Sequence, residues 1–154
     1  AGTLDPSRQI ENQYPTMTRD DLVAMGPDVR RLRAPQCVLL LWVATQKLDE
    51  AVALVEAWGF QIQSGAVWVK PSIGMGYWFR AQHELLILAT HGTPPTPLPA
   101  DRPSSVITAP RREHSEKPHE QYALIDRMFP GVPKVELFAR TTRDGWDRWG
   151  NNAT

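Results

Sequence analysis

The chain has 154 residues and no net charge, because 17 Lys and Arg balance 17 Asp and Glu. Its 42% hydrophobic and 22% charged content is ordinary for a soluble globular protein, and the balanced charge creates no overall field that would attract an acidic partner. The longest apolar run covers residues 37–44, which is far too short for a helix that crosses a bilayer.

The length, the single cysteine and the N-terminus predict the domain count and the cellular setting. A chain of this size fits one domain with a real core, so residues 1–154 are expected to form a single domain. Cys37 is the only cysteine, which rules out an internal disulfide and favours burial as a small hydrophobic residue. The N-terminus lacks the charged-then-apolar pattern of a signal peptide. We therefore expect a cytoplasmic protein without a membrane partner.

The first third of the chain predicts two strands separated by a helix. Residues 1–6 are compatible with a short strand that ends at Asp5-Pro6. Thr18 and Asp21 form a capping-box-like start, so a short helix is expected over residues 18–25. Residues 36–43 are a continuous apolar run of strand length, which is typical of a central strand buried on both faces.

The middle of the chain predicts a helix and then three strands. The helix ends at Gly59, a good C-terminal cap, and the strands are expected over residues 60–69, 84–90 and 104–108. Residues 93–103 are too rich in proline for a helix or a sheet interior and predict an extended surface loop. The apolar stripe of the helix has i, i+3, i+4, i+7 spacing and consists of Leu48, Ala51, Val52, Val55 and Trp58.

The last third predicts a helix over residues 118–129, with Tyr122 and Ile125 facing inward, and a short buried strand over residues 135–140. The alternation of strands and helices along the whole chain predicts a three-layer α/β/α sandwich.

The C-terminal strand carries charges that are costly to bury. Glu136 lies in its middle and Arg140 at its end, and burial of either charge costs free energy unless a polar group replaces the lost hydration. In open α/β sheets, ligands bind beyond the carboxyl ends of the strands, so a ligand is one explanation. The other is an ion pair between Glu136 and Arg140, and the pattern by itself does not decide between them.

Aromatic and basic residues suggest a nucleic-acid surface, although each cluster also has a simpler explanation. Trp78 lies beside glycine and arginine in a loop-like stretch, where an exposed ring can stack on a base or anchor the loop. Arginine clusters at residues 30–33 and 111–112 can contact phosphate or form a solvated face. Three other tryptophans lie on apolar runs and are expected in the core, namely Trp42, Trp58 and Trp68.

Other common chemistries lack support in the sequence. Gly74-Met75-Gly76 lacks the third glycine and the strand-to-helix setting of a dinucleotide fingerprint. The four histidines do not form a metal-ligand pattern with cysteine or carboxylates, and no G-x-S-x-G nucleophile elbow is present. No metal site is therefore expected.

Nine short blocks of sequence occur in order and cover nearly all of residues 14–152. The blocks are Tyr14-Pro15-Thr16-Met17, Leu41-Trp42-Val43, Glu56-Ala57-Trp58-Gly59-Phe60, Val67-Trp68-Val69-Lys70, Gly74-Met75-Gly76-Tyr77-Trp78, Gln82-His83-Glu84-Leu85-Leu86, Ala109 to Pro118, Glu136-Leu137-Phe138-Ala139-Arg140 and Gly145-Trp146-x-x-Trp149-Gly150-Asn151. Each block is weak alone, but together and in this order they resemble the MT-A70 family of S-adenosylmethionine-dependent adenine-N6 methyltransferases.

The resemblance implies a Rossmann-like class I methyltransferase fold in permuted order, with the acceptor motif N-terminal and the cofactor strand C-terminal. It implies a single methyltransferase domain that uses S-adenosylmethionine. Its compact style is similar to bacterial and phage members that act on DNA, so DNA is expected rather than RNA, with a homodimer or heterodimer both compatible. The implied cofactor-binding residues are Lys117, Glu136, Phe138, Arg140, Asn151 and Asn152, and the implied substrate-binding residues are Tyr14, Trp78, Arg111 and Arg112.

The acceptor motif is where the sequence departs from the family. The family motif reads Asp-Pro-Pro followed by Trp or Tyr, and here Asp5-Pro6 is followed by Ser7-Arg8. Asp5 and Pro6 are the implied catalytic pair, because a carboxylate and a carbonyl can accept hydrogen bonds from the adenine amino group. Either a catalytic loop near residues 6–8 is missing from this sequence, or the motif is degenerate and the chain is an inactive nucleic-acid-binding or partner subunit.

Overall fold

The computed structural model describes residues 18–113, 116–139 and 141–149. Within these ranges the chain forms four α-helices and six β-strands, together with short 3₁₀ turns at Thr45–Lys47 and Pro99–Asp101. The strand expected over residues 1–6 lies outside the described residues. In chain order the elements are α1 (Arg19–Ala24), α2 (Gly26–Leu32), β1 (Cys37–Val43), α3 (Leu48–Ala57), β2 (Gln61–Val69), β3 (His83–His91), β4 (Val106–Thr108), α4 (Glu120–Met128), β5 (Lys134–Leu137) and β6 (Trp146–Trp149).

The strands form a mixed four-stranded sheet and a separate parallel pair. The larger sheet has the order β1-β3-β2-β4, in which β3 is antiparallel to both β1 and β2 and β4 is parallel to β2. The smaller sheet pairs β5 with β6. Within the described strands β1 therefore lies at a sheet edge, and its side chains are half-buried except for buried Val43. An apolar run predicts burial on both faces but does not specify the position of a strand across the sheet.

The two faces of β1 pack against helices on opposite sides of the sheet. Leu39 and Leu41 contact the core that is built around α1, α2 and α3. Leu40 and Trp42 point to the other face and pack in a cluster that includes Leu124 of α4. This alternation follows from the two-residue period of a strand. Helices thus cover both faces of the mixed sheet, as in an α/β fold.

The predicted helix ends are confirmed, whereas the predicted face of α3 is partly wrong. The Thr18 hydroxyl accepts from the Asp21 backbone N–H at 3.1 Å, and the Asp21 carboxylate accepts from the Thr18 N–H at 3.1 Å. Gly59 follows α3 with a left-handed φ of 82°. Leu48 and Val52, which were expected to face inward, are 39% and 37% exposed. Their place in the core is taken by a residue outside the predicted stripe, Leu54.

The first arginine cluster serves the end of α3. Arg30 donates to the Ala57 carbonyl at 2.7 Å, and Arg33 donates to the Trp58 carbonyl at 2.8 Å. The last carbonyls of a helix lack partners within the helix and carry a partial negative charge, so guanidinium groups stabilise them. The structure thus gives these two arginines a structural role.

Candidate functional site

A cavity of about 870 Å³ is lined by residues of β1, α4 and β5. Its volume lies within the roughly 300–1,000 Å³ that is usual for small-molecule sites. Most of its wall is apolar, with a small number of polar side chains from α4, β5 and the segment before α4. An apolar cavity with few polar groups is the kind of site that binds a ligand of mixed character.

Three of the six predicted cofactor-binding residues line this cavity. Lys117 comes from the segment before α4, Glu136 from β5, and Phe138 from the turn after β5. The three residues come from a stretch of the chain that runs from the segment before α4 to the turn after β5. The other predicted residues of the acceptor and cofactor sites lie outside the described residues, namely Asp5, Pro6, Tyr14, Arg140, Asn151 and Asn152.

Glu136 is held by a tyrosine from α4. The Tyr122 hydroxyl donates to Glu136 Oε1 at 2.7 Å. Burial raises the pKa of the Tyr122 phenol, and the hydrogen bond to Glu136 raises that pKa further, so the phenol keeps its proton and stays a donor. The strand itself is less buried than predicted: Val135 is 40% exposed, because β5 pairs only with β6 among the described strands.

Aromatic and cationic groups hold Tyr122 in place. The Trp146 ring packs edge-on against Tyr122 with 5.3 Å between ring centroids, and the Arg143 guanidinium carbon lies 3.6 Å from the Tyr122 centroid. The Trp146 indole N–H donates to the Asp126 carboxylate at 3.1 Å. Trp146, the first residue of β6, therefore helps to hold Tyr122 in place, and through it Glu136.

Phe138 has an unusual backbone at the end of β5. Its φ is 60°, in the left-handed region that a non-glycine residue rarely adopts. Its N–H donates to the Trp149 carbonyl at 2.6 Å, and its ring packs edge-on against Trp149 with 5.7 Å between centroids. Such strained positions occur preferentially at functional sites, and Phe138 does line the cavity.

Lys117 pairs with a carboxylate that the sequence did not single out. Its Nζ donates to Glu84 Oε1 at 2.5 Å, while Lys70 Nζ lies 3.0 Å from Glu84 Oε2. Lys70 follows β2 and Glu84 lies near the start of β3, and these two strands pair antiparallel. The sequence did hold a signal for the pair of Lys70 and Glu84. A positive charge follows one predicted strand, and a negative charge begins the next, so the two charges meet if the strands pair antiparallel.

The charge state of Glu84 predicts a pH dependence of stability. Burial opposes its ionisation, but the hydrogen bonds and charges of Lys117 and Lys70 outweigh burial and hold the pKa of the carboxyl below its ordinary value of 4.5. The ion pairs therefore stabilise the fold above the unfolded-state pKa, and this contribution is lost as the pH falls through the lower folded-state pKa.

We expect the free energy of unfolding to differ most between the wild type and Glu84→Gln above about pH 5, and the difference to shrink toward about pH 3. Urea unfolding followed by circular dichroism at several pH values measures it. Glu56→Gln, at an exposed position on α3, is the control. A difference between the wild type and Glu84→Gln that stays constant over this range would contradict the ion-pair account.

Three of the four predicted substrate residues, Trp78, Arg111 and Arg112, are described by the structure and are not among the residues that line the cavity. Trp78 is 96% exposed in the loop between β2 and β3, and its neighbours Tyr77 and Phe79 are similarly exposed. Arg111 donates to the Ser72 carbonyl of this loop at 2.8 Å. Arg111 and Arg112 are both exposed. The structure thus brings Arg111 to the base of the aromatic loop.

In the described parts of the chain, no group of three or more His, Cys, Asp or Glu side chains has an arrangement that could hold a metal ion. The helices of residues 18–113, 116–139 and 141–149 include none with the length and apolar character needed to cross a membrane.

Comparison with known proteins identifies the family. The family model described as MT-A70 matches residues 4–152. The chain is 34% identical over 139 residues to the Type II methyltransferase M.MunI of Mycoplasma sp, a match that covers 90% of the chain and 59% of that relative. It is 28% identical over 156 residues to the N(6)-adenosine-methyltransferase catalytic subunit METTL3 of Homo sapiens, covering 92% of the chain and 26% of that protein. The chain thus spans less than two thirds of each of these relatives.

The nine blocks recognised in the sequence fall within the matched residues, and the chain belongs to the MT-A70 family.

Proposed function

We propose that this chain binds S-adenosylmethionine in the cavity and transfers its methyl group to the N6 amino group of adenine in nucleic acid, with DNA as the substrate. The observation that carries the proposal is that Lys117, Glu136 and Phe138 line the same cavity in a chain of the MT-A70 family. We also propose the permuted Rossmann-like order, with the acceptor motif N-terminal and the cofactor strand C-terminal.

The donor set of the cavity suits this cofactor. The ammonium of Lys117 can bind the carboxylate of the methionine part, since a lysine has three donor protons and Glu84 accepts one of them. The Tyr122 hydroxyl donates to Oε1 of Glu136, and an ionised carboxylate has acceptor sites for several donors, so Glu136 can also accept hydrogen bonds from hydroxyl groups such as those of a ribose. The apolar wall, including Phe138, can cover an adenine ring.

Catalysis then depends on residues that accept hydrogen bonds from the adenine amino group. S-adenosylmethionine supplies an electrophilic methyl group on a sulfonium, so no metal is required. Asp5 and the Pro6 carbonyl would accept hydrogen bonds from the adenine amino group and localise its lone pair for attack. Tyr14 would shape the base pocket. These three residues lie outside the described part of the chain, and their roles rest on the family resemblance.

The aromatic loop and its arginines suit contact with nucleic acid. Three exposed rings follow one another at residues 77–79, and base stacking on such rings contributes roughly 1–3 kcal/mol per base. Arg80 follows these rings directly in the sequence, and Arg112 follows Arg111, which contacts the loop at Ser72; Arg80 and Arg112 are exposed and can contact phosphates. The proposed substrate-binding residues on this face are Trp78, Arg111 and Arg112. DNA is preferred because the chain resembles the compact bacterial and phage members and is 34% identical to a type II methyltransferase.

One observation favours a second candidate function. Asp5-Pro6 is followed by Ser7-Arg8 instead of the second proline and the aromatic residue of the family motif. A chain without the stacking residue could bind cofactor and nucleic acid as a non-catalytic subunit of an active partner.

Transfer of a labelled methyl group tests the proposal. Purified protein is incubated with labelled S-adenosylmethionine and duplex DNA, single-stranded DNA or RNA of matched sequence, and the label is assigned to N6-methyladenine by chromatography of the nucleosides. Label in DNA is the expected result. Label confined to RNA would overturn the DNA assignment, whereas cofactor binding without transfer to any substrate would favour the non-catalytic subunit.

A further inference from the structure

The ammonium of Lys117 is held from outside the cavity. Lys117 lines the cavity, whereas Glu84, which accepts its hydrogen bond at 2.5 Å, is absent from the lining residues. Glu84 belongs to β3, the strand next to β1 in the larger sheet. The cavity cation is therefore paired with a carboxylate that does not itself line the cavity.

Glu84 is itself fixed by its neighbours. Its side chain is 17% exposed, it lies opposite Trp68 in the β2–β3 register, and Lys70 approaches its second oxygen at 3.0 Å. Each lysine also lies over an indole ring, with Lys70 Nζ 4.9 Å from the Trp68 centroid and Lys117 Nζ 6.0 Å from the Trp42 centroid. The two rings pack edge-on at 6.1 Å. Both cations are thus held by a charge and by an aromatic face.

One carboxylate between two ammonium groups leaves the cluster with one positive charge. Lys117 and Lys70 together hold the pKa of Glu84 below its ordinary value, so the negative charge that orients Lys117 persists while Lys117 retains donors for a ligand. A lysine side chain has a flexible stem, and ordering it in advance lowers the entropy that binding would otherwise cost. The arrangement therefore favours an anionic ligand group at Lys117.

We propose that Glu84 is a positioning residue that orients Lys117 toward the carboxylate of the bound cofactor, with Lys70 as the second cation that pairs with Glu84. This inference rests on the proposed binding of S-adenosylmethionine and names the part of that molecule on which Glu84 acts.

Two ligands separate a positioning role from a general structural role. S-adenosylmethionine carries the carboxylate, whereas 5′-methylthioadenosine lacks the whole amino-acid part. For Glu84→Gln we expect about fivefold weaker binding of S-adenosylmethionine and unchanged binding of 5′-methylthioadenosine, measured by isothermal titration calorimetry. In a Lys117→Ala background, Glu84→Gln should weaken binding no further, because the residue acts through Lys117. Circular dichroism verifies that each variant is folded.

Lys70→Met provides a second test that leaves Glu84 and Lys117 in place. It should shift the affinity for S-adenosylmethionine in the same direction by a smaller factor, again without changing that for 5′-methylthioadenosine. Equal losses for both ligands, or a full additional loss in the Lys117→Ala background, would overturn the positioning role and leave the cofactor site intact. Unchanged affinity for S-adenosylmethionine in Lys117→Ala itself would overturn the cofactor site and the positioning role together.

Discussion

Replacing Asp5 with alanine is expected to abolish methyl transfer and to leave the affinity for S-adenosylmethionine unchanged. The adenine amino nitrogen is a weak nucleophile because its lone pair is delocalised into the ring. A carboxylate that accepts one of its protons localises that pair in the transition state, and a positioned acceptor of this kind contributes about 10²- to 10⁴-fold in rate. Single-turnover transfer of a labelled methyl group to adenine in DNA measures the rate, and calorimetry measures the affinity.

The control for this experiment is a carboxylate to which the family resemblance assigns no role. Asp20 is exposed in the first turn of α1, and Asp20→Ala should retain the transfer rate of the wild type. If Asp5→Ala transferred methyl groups as fast as Asp20→Ala, the assignment of Asp5 as the acceptor residue would be wrong.

Replacing Lys117 with alanine should lower the affinity for S-adenosylmethionine by roughly 10- to 100-fold. A hydrogen bond between charged groups contributes about 1.5–3 kcal/mol, and each 1.4 kcal/mol corresponds to a factor of about ten. Calorimetric titration of the purified variant with S-adenosylmethionine measures this change.

Lys47→Ala is the matched control, because Lys47 is 66% exposed at the start of α3 and is not among the cavity-lining residues. Its affinity for the cofactor should equal that of the wild type. A Lys117→Ala variant that binds as tightly as Lys47→Ala would show that the cofactor carboxylate lies elsewhere.

Local patterns predicted the elements of this fold well because their causes are local. The cap at Thr18 and the stop at Gly59 depend on backbone groups within a few residues, so the sequence around them is sufficient. The inward face of α3 depends instead on which residues of α1 and α2 pack against it. The stripe prediction included exposed Leu48 and omitted buried Leu54 for that reason.

The candidate site was predictable only in part. The resemblance to the family, and not periodicity, pointed to Lys117, Glu136 and Phe138, and these three residues do line one cavity. Tyr122 had been expected only to face inward from its helix, and its contact with Glu136 requires knowledge of how α4 packs on β5. The pairing of Glu84 with Lys70 likewise depends on the β2–β3 register, and its pairing with Lys117 depends on how the segment before α4 packs against β3. The sequence alone specifies neither.

The left-handed backbone of Phe138 has a consequence for protein engineering. A left-handed conformation costs an L-residue roughly 1–2 kcal/mol that glycine avoids. At this position the backbone therefore favours glycine, whereas the contacts of the side chain favour an aromatic ring. Glycine would relax the backbone and remove the ring from the cavity wall and from Trp149. A β-branched side chain would suit neither requirement. Libraries that diversify the cavity should therefore treat position 138 as a turn position that happens to carry an aromatic ring, and should sample aromatic residues, asparagine and glycine there.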